Sequence, residues 1–446
     1  MSEGKDLTKG NLLSNMIKFC LPLLITNLLD SIYNIVDGIW IGRLVGDSGL
    51  SATTNCWPIM LVAYSFLAGV TVTTSIMVAQ HFASKDREKI KEVITPLYVI
   101  SIIMGIFTAT LLLLTEDFWF NLFNTPIEVI PEAKAYISVY LIGFIFNFLG
   151  FTMVSGMRAI GNSKTPLKIL AATEIANIIL DPIFIKLGYG VKGAAIATAV
   201  SMLLSLLLSF LYVRKSDLLK FDIKYLKFNK EFLKQASILG IPMIIQQVTT
   251  IFTIMLEVNI SNSLGVVGGS TYGIVSKFQE VVWVLGNAIN ELITVVVGQF
   301  VGKSEFNRIK DVMKNGLKLI IAPIILIAVF VIFGSELFAK IFTNNEEVIL
   351  STIEYMHIVG VGYTFVPLCQ LLYGMVLGLG NTRFSFVTST TATITEIVVA
   401  IYLNNTTHRV FYALGVGITM WYVVEIVMFA IYYFSKRWYK TEKEVA

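Results

Sequence analysis

Apolar residues run in long blocks along nearly the whole chain, broken only by short polar segments. An α-helix needs about 20 mostly apolar residues to cross the hydrocarbon core of a bilayer. Twelve blocks reach that length, near residues 15–40, 52–80, 93–115, 133–156, 166–186, 191–213, 235–261, 270–300, 312–334, 348–376, 386–403 and 410–435. The pattern therefore predicts an all-α integral membrane protein with twelve transmembrane helices.

The blocks repeat. Val78, Gln80, Ile90, Lys91 and Val93 recur as Val297, Gln299, Ile309, Lys310 and Val312, each 219 residues later. Glu128, Val129, Ile130, Tyr136 and Gly143 recur at the same offset of 219 as Glu347, Val348, Ile349, Tyr355 and Gly362. A duplicated helix array is the architecture of a secondary transporter, whose halves move around a site near the bilayer midplane. Six spans per half is an even number, so both halves enter the membrane in the same sense. The expected arrangement is two six-helix lobes, 1–213 and 235–446, related by a pseudo-two-fold along the membrane normal. Segment 214–234 joins them as a cytoplasmic linker.

Composition agrees. The chain is 55% hydrophobic and only 14% charged, against about 25% charge in a soluble domain. The basic residues are unevenly placed. With the N-terminus inside, the cytoplasmic tails and loops hold 25 Lys and Arg and the outer loops five. This bias sets both termini in the cytoplasm. It also accounts for the net charge of +4 without a nucleic-acid partner. The first 14 residues are polar and the next block is long enough to stay as a helix, so no cleaved signal is expected. The linker carries seven Lys or Arg, and part of it is expected as an amphipathic helix on the inner leaflet. Cys20, Cys56 and Cys369 all fall in spans, so no disulfide is expected.

Against this apolar background the acids stand out. Each ionisable group at a helix centre costs roughly 2.5–3.5 kcal/mol on insertion scales. Ten lie within the spans: Asp30, Asp37, Glu174, Asp181, Glu257, Glu280, Glu291, Glu354, Glu396 and Glu425. Lys277 is the one basic residue well inside a span, and its spacing allows an ion pair with Glu280. Glu291, Glu354 and Glu425 also suit interfacial or structural roles. The first span carries Asn27, Asp30, Asn34 and Asp37 as one polar stripe at helical spacing. Pro22 lies fifteen residues before Asp37, and Pro242 fifteen before Glu257. Gln247, Thr250 and Glu257 replace Asn27, Asp30 and Asp37 at an offset of 220. The fifth span places Glu174, Asn177 and Asp181 on one face, followed by Pro182. Two carboxylates, an amide oxygen and carbonyls freed by the proline suit Na⁺; the same acids, desolvated, could carry a proton. Thr198 offers a hydroxyl in the small-residue start of the sixth span. Asn27, Asp30, Asn34, Glu174, Gln247, Glu257, Lys277 and Glu280 are candidates for a substrate cleft. Spacings Gly42/Gly46, Gly298/Gly302 and Gly374/Gly378 read as close helix contacts.

At this point the chain resembles the multidrug and toxic compound extrusion (MATE) family. The resemblance rests on IYNIVDGIWIGRLVG at 32–46, VAQHFASKD at 78–86, RAIGNSKTP at 158–166, NIILDP at 177–182 and GLGNTR at 378–383. The acid on the first span with Asn-x3-Asp-Pro on the fifth is similar to the prokaryotic, DinF-like branch. The resemblance implies two six-helix lobes around a central cleft in the plasma membrane. It also implies antiport, with drug export driven by inward flow of Na⁺ or H⁺; the acids in the spans make organic cations the expected cargo. It places the cation site at Asp37, Asn177 and Asp181, with Thr198 nearby, and a hinge of the first helix at Pro22. A lipid-linked oligosaccharide or peptidoglycan-precursor flippase of the same superfamily is the rival reading. Such a cleft must hold a pyrophosphate with Arg and Lys, whereas this one is acidic. No nucleotide-binding or nucleophile motif is present, so neither an enzyme nor an organic cofactor is expected. The expected partners are small organic cations and lipid, and the expected state is a monomer.

Overall fold

A computed structural model describes residues 4–84, 86–122, 125–436 and 438; residues 439–446 of the expected C-terminal tail lie outside the described residues. The described chain is almost wholly helical. In the first half the helices are α1 (Leu12–Leu44), α2 (Asp47–Ala83), α3 (Arg87–Leu114), α4 (Glu116–Leu122), α5 (Ile130–Ala159), α6 (Lys164–Phe184) and α7 (Val191–Val213). In the second half they are α8 (Lys230–Asn262), α9 (Gly265–Gly302), α10 (Ile309–Phe333), α11 (Ser335–Phe342), α12 (Glu346–Gly378), α13 (Thr382–Thr407) and α14 (Val410–Ser435). Twelve are long, at the twelve positions expected from the apolar blocks. Eleven are long and apolar enough to cross a membrane. The twelfth, α6, has 21 residues and carries Lys164, Lys168, Glu174 and Asp181. Its charges set it apart from the other eleven, and two of them are candidate site residues.

Two short helices, α4 and α11, were not expected. Both cap a long helix, and both occupy matching places in the repeat. In α11, SELFAKIF, Leu337, Ile341 and Phe342 are exposed, and the Lys340 ammonium lies 2.6 Å from Glu336. That ammonium holds the Glu336 carboxyl below its usual range. The alternation of apolar and charged residues marks an interfacial helix, too short to register as a span.

The chain divides into two units. One comprises Lys18–Gln247 with the residues up to Leu7; the other comprises Thr8–Ile17 with the chain from Val248 onward. The division falls within α1 and within α8: α1 up to Ile17 goes with the second unit, and α8 up to Gln247 with the first. Packing follows one plan in each unit. In the first, α5 packs on α2, α3 and α7, and α6 packs on α7. In the second, α12 packs on α9, α10 and α14, and α13 packs on α14. Those are the repeat counterparts, element for element.

Aromatic ladders hold the central helices. Along α5, Tyr136, Tyr140, Phe144 and Phe148 are buried at four-residue spacing, and successive rings lie 5.4–5.9 Å apart. In the second unit Phe278 of α9 stacks on Phe330 of α10 at 5.0 Å and meets Tyr363 of α12 at 6.0 Å. Aromatic pairs contribute about 0.5–1.5 kcal/mol each beyond their buried area.

Glycine settles two helix contacts and corrects a third. A Cβ on Gly193 of α7 would lie 2.7 Å from the carbonyl carbon of Phe184, and one on Gly374 of α12 would lie 2.6 Å from the carbonyl oxygen of Asn290 on α9. Small residues there let backbones approach. Gly42 and Gly46 behave otherwise, since an added Cβ meets nothing within 4 Å at either. Gly46 instead supplies a φ of +98° that ends α1 and starts α2, a left-handed conformation that a side chain would strain.

The linker differs from expectation as well. It forms only one 3₁₀ turn, Ile223–Tyr225, before α8 begins at Lys230. Tertiary contacts hold it instead of helical ones. Leu219 is fully buried and its carbonyl accepts from Tyr98 Oη at 3.0 Å. Tyr225 Oη reaches Glu88 Oε1 at 3.5 Å. Asp217 pairs with Lys220 at 2.9 Å, which lowers its carboxyl below the usual range.

Candidate functional site

The first unit gathers a polar cluster from α1, α5, α6 and α7. The carboxyls of Asp37 and Asp181 meet within hydrogen-bond reach. Asp181 is fully buried, and Asn177, one turn earlier on α6, is 2% exposed. In one amide orientation Asn177 Nδ2 donates to Asp181 Oδ2 at 2.9 Å, and its oxygen accepts from the Thr198 backbone N–H at 3.1 Å. Tyr33 Oη lies 3.4 Å from Thr198 Oγ1, whose hydroxyl in turn lies 3.1 Å from the Ala194 carbonyl. Tyr136 of α5 is close enough to sense the charges of Asp37, Asp181 and Tyr33. The structure thus brings together Asp37, Asn177, Asp181 and Thr198. It adds two tyrosines that sequence reasoning did not select.

Local structure explains the clustering. Tyr33 and Asp37 are four apart on α1 and share a face. Asn177 and Asp181 have the same spacing on α6. Pro182 removes one backbone donor, and the Ile185 N–H is shared between the Asp181 and the Pro182 carbonyls at the end of the helix. A π-type turn, Ile185–Tyr189, follows, with Gly188 at φ +92°. Gly188 lies outside helical φ/ψ, so this segment is the kink at which α6 gives way to α7.

Two ionised carboxylates at this approach repel strongly, so the pair requires a proton or a metal cation between them. Oδ1 of Asp37 and Oδ1 of Asp181 are both buried without a hydrogen-bond partner. Rotating the Asn177 amide by a half-turn would direct its oxygen at Asp181. The donor set would then be carboxylate and amide oxygens, which suits a hard cation. No group of three or more His, Cys, Asp or Glu side chains comes together among the described residues, so a transition metal has no such ligand set there.

A second acidic level lies seven residues earlier on both helices. Asp30 and Glu174 are close enough for their charges to interact. Seven residues is about 10 Å of helix rise. Glu174 Oε2 is shielded from solvent without a partner. Asp30 and Asn34 are exposed, and Asn34 Nδ2 is held by the Asp30 carbonyl at 2.8 Å. Asn27 is partly buried on the same stripe. Pro22 is buried within a continuous α1, and Thr26 Oγ1 donates to its carbonyl at 2.8 Å.

The second unit has its own acid pair. Glu257 of α8, 8% exposed, accepts from Tyr272 Oη at 2.7 Å and lies within hydrogen-bond reach of Glu396 on α13, 6% exposed. They line an otherwise apolar crevice with Thr253, Leu256, Ile397 and Leu414. Sequence reasoning named both acids but did not pair them. The signal was present, because Glu396 stands 219 residues after Asn177. Tyr355, the repeat counterpart of Tyr136, is buried on α12.

The other candidates fall elsewhere. Gln247 is exposed on α8. Lys277 and Glu280 form an exposed ion pair at 2.8 Å on α9. Glu354 pairs with Arg409, also exposed. Glu425 is buried, accepts from Cys369 Sγ at 2.8 Å, and bonds to Ser389.

Sequence comparison now identifies the family. The MatE family model matches this chain twice, over residues 22–183 and 241–402. The chain belongs to the MATE family. The two matches begin and end 219 residues apart, which is the offset of the internal repeat. Among curated relatives, the probable multidrug resistance protein YoeA of Bacillus subtilis is 28% identical over 351 residues, 76% of this chain and 75% of the relative. The probable multidrug resistance protein YpnP of the same organism is 26% identical over 383 residues, 85% of each. A crystal structure of a variant of the Vibrio cholerae MATE transporter VcmN shares the fold with a TM-score of 0.89 at 19% identity, covering 96% of this chain and 98% of that one. As a MATE protein the chain is a multi-pass membrane transporter.

Proposed function

We propose that this protein is a DinF-like antiporter of the plasma membrane that exports organic cations against an inward flow of Na⁺ or H⁺. The observation that carries the reading is the approach of half-buried Asp37 to fully buried Asp181, completed by Asn177 and Thr198. A cation entering the pair relieves the repulsion of two carboxylates. A cation leaving restores it. That difference is large in a low-dielectric interior and supplies the bias between two conformations. Pro22 is the hinge through which α1 follows the state of Asp37. With the positive-inside bias of the loops, both termini lie in the cytoplasm. The names of the relatives support drugs as cargo.

The second acid pair supports a cationic cargo. Glu257 and Glu396 place two carboxyl groups among apolar side chains, where they would favour a positive charge on a cargo bound near them. A flippase for pyrophosphate-linked lipids would need basic groups where these acids stand. Asp37→Asn and Asp181→Asn each replace a carboxylate by an amide of nearly the same shape. Each variant, inserted at normal level, is expected to lose ethidium efflux from energised cells. Full cation-driven efflux by both would overturn the reading.

A further inference from the structure

Asp181 is fully buried and Asp37 half-buried, each with one carboxyl oxygen shielded from solvent, so a cation that reaches both must pass protein side chains. On the side of the first unit where α1 and α6 end and α5 and α7 begin, a depression is lined by Val45, Glu132, Ala135, Tyr189 and Lys192. Its rim is open: Tyr189 is 52% exposed and Lys192 is exposed. Glu132 is the acid in its wall. One oxygen, Oε1, accepts from Ser48 Oγ at a long 3.4 Å. The other, Oε2, is shielded from solvent and has no partner. Glu132, Tyr136 and Tyr140 follow at four-residue spacing on one face of α5, and Tyr136 senses the charges of both Asp37 and Asp181. Four residues, about 6 Å of helix rise, therefore separate the levels of Glu132 and Tyr136. The corresponding position in the second half is Ser351, and there Glu354, at the position of Ala135, pairs with Arg409, at that of Gly190.

We propose that this depression is the outer vestibule of the cation pathway and that Glu132 is its capture residue, drawing the coupling cation from the external solution toward Asp37 and Asp181. The proposal rests on the coupling role and membrane orientation given above. Glu132 lowers the local potential for a cation, and Lys192 on the same wall raises it. The two residues should therefore act with opposite sign on how much external cation is needed. They should act little on the maximal rate, which the pair sets. An acid in the first turn also stabilises a helix N-terminus, but that role would alter protein amount and not cation dependence.

The test is ethidium efflux from loaded, de-energised cells, started by adding external Na⁺ in one series and external acid in the other. Glu132→Gln is expected to raise the half-saturating cation concentration about threefold or more, the scale of one screened unit charge at several ångströms, at a near-normal maximal rate. Lys192→Gln is expected to lower it. Raised external ionic strength from choline chloride should shrink both shifts. Half-saturation unchanged in both series for Glu132→Gln would overturn the proposal. If Glu132→Gln instead lost all efflux, Glu132→Asp decides. Rescue by the shorter acid supports capture by charge, and failure to rescue overturns it. Asp37→Asn separates the two levels of the argument. If it is inactive at every cation concentration, the coupling reading stands and Glu132 is judged alone. If it remains coupled, the underlying reading fails whatever Glu132 does.

Discussion

At the residue scale, four side chains read from sequence as a cation site share one cluster, and two residues beside them escaped notice. Asp37, Asn177 and Asp181 were legible because a carboxylate in an apolar helix has few harmless explanations. Tyr33 and Tyr136 were not, because buried tyrosines are common in membrane cores and only contacts single these out. Glu257 was legible as an acid, but its partnership with Glu396 needed the fold. That pair yields a prediction for cargo. Glu257→Gln removes charge while keeping an acceptor for Tyr272. It should weaken export of cationic dyes such as ethidium more than export of matched neutral dyes, measured as efflux rates from the same cells. Equal losses for both kinds of dye would assign Glu257 to coupling or folding instead.

At the scale of elements, apolar block length located all twelve long helices, including α6, whose charges keep it out of a pure hydropathy count. Interfacial α4 and α11 and the irregular linker were missed for related reasons. A helix of seven or eight residues leaves no block. A basic segment strapped to α3 by Tyr98 and Tyr225 has no periodicity to read. Glycine spacing was an uneven guide. Gly374 lies against α9 and Gly193 against the end of α6, whereas Gly42 faces open space. Gly193→Val should therefore destabilise by about 1–3 kcal/mol through overpacking, read as a lower thermal midpoint in detergent. Gly42→Ala should leave that midpoint unchanged or slightly raised, because alanine favours helix. A large loss from Gly42→Ala would show a contact on that face that the structure lacks.

For the whole molecule, the repeat is the organising fact. It appears as residue identities in the sequence, as matching packing plans in the two units, and as two MatE matches at one offset. The repeat also shows where the halves diverge. A carboxylate of α1 has its counterpart in α8, but the partner acid stands at Asp181 in one unit and at the position of Asn177 in the other. This divergence fits a division of labour in which the first unit takes the driving cation and the second takes the charge of the cargo.

Antiport is reciprocal, so a cargo gradient must drive the cation as surely as the cation drives cargo. The decisive measurement uses proteoliposomes with no cation gradient and an imposed ethidium gradient, with Na⁺ and H⁺ fluxes recorded separately. The account predicts that the wild-type protein moves one of these cations opposite to ethidium, and that Asp181→Asn at equal incorporation moves neither. Undiminished, ethidium-driven cation flux through Asp181→Asn would contradict it.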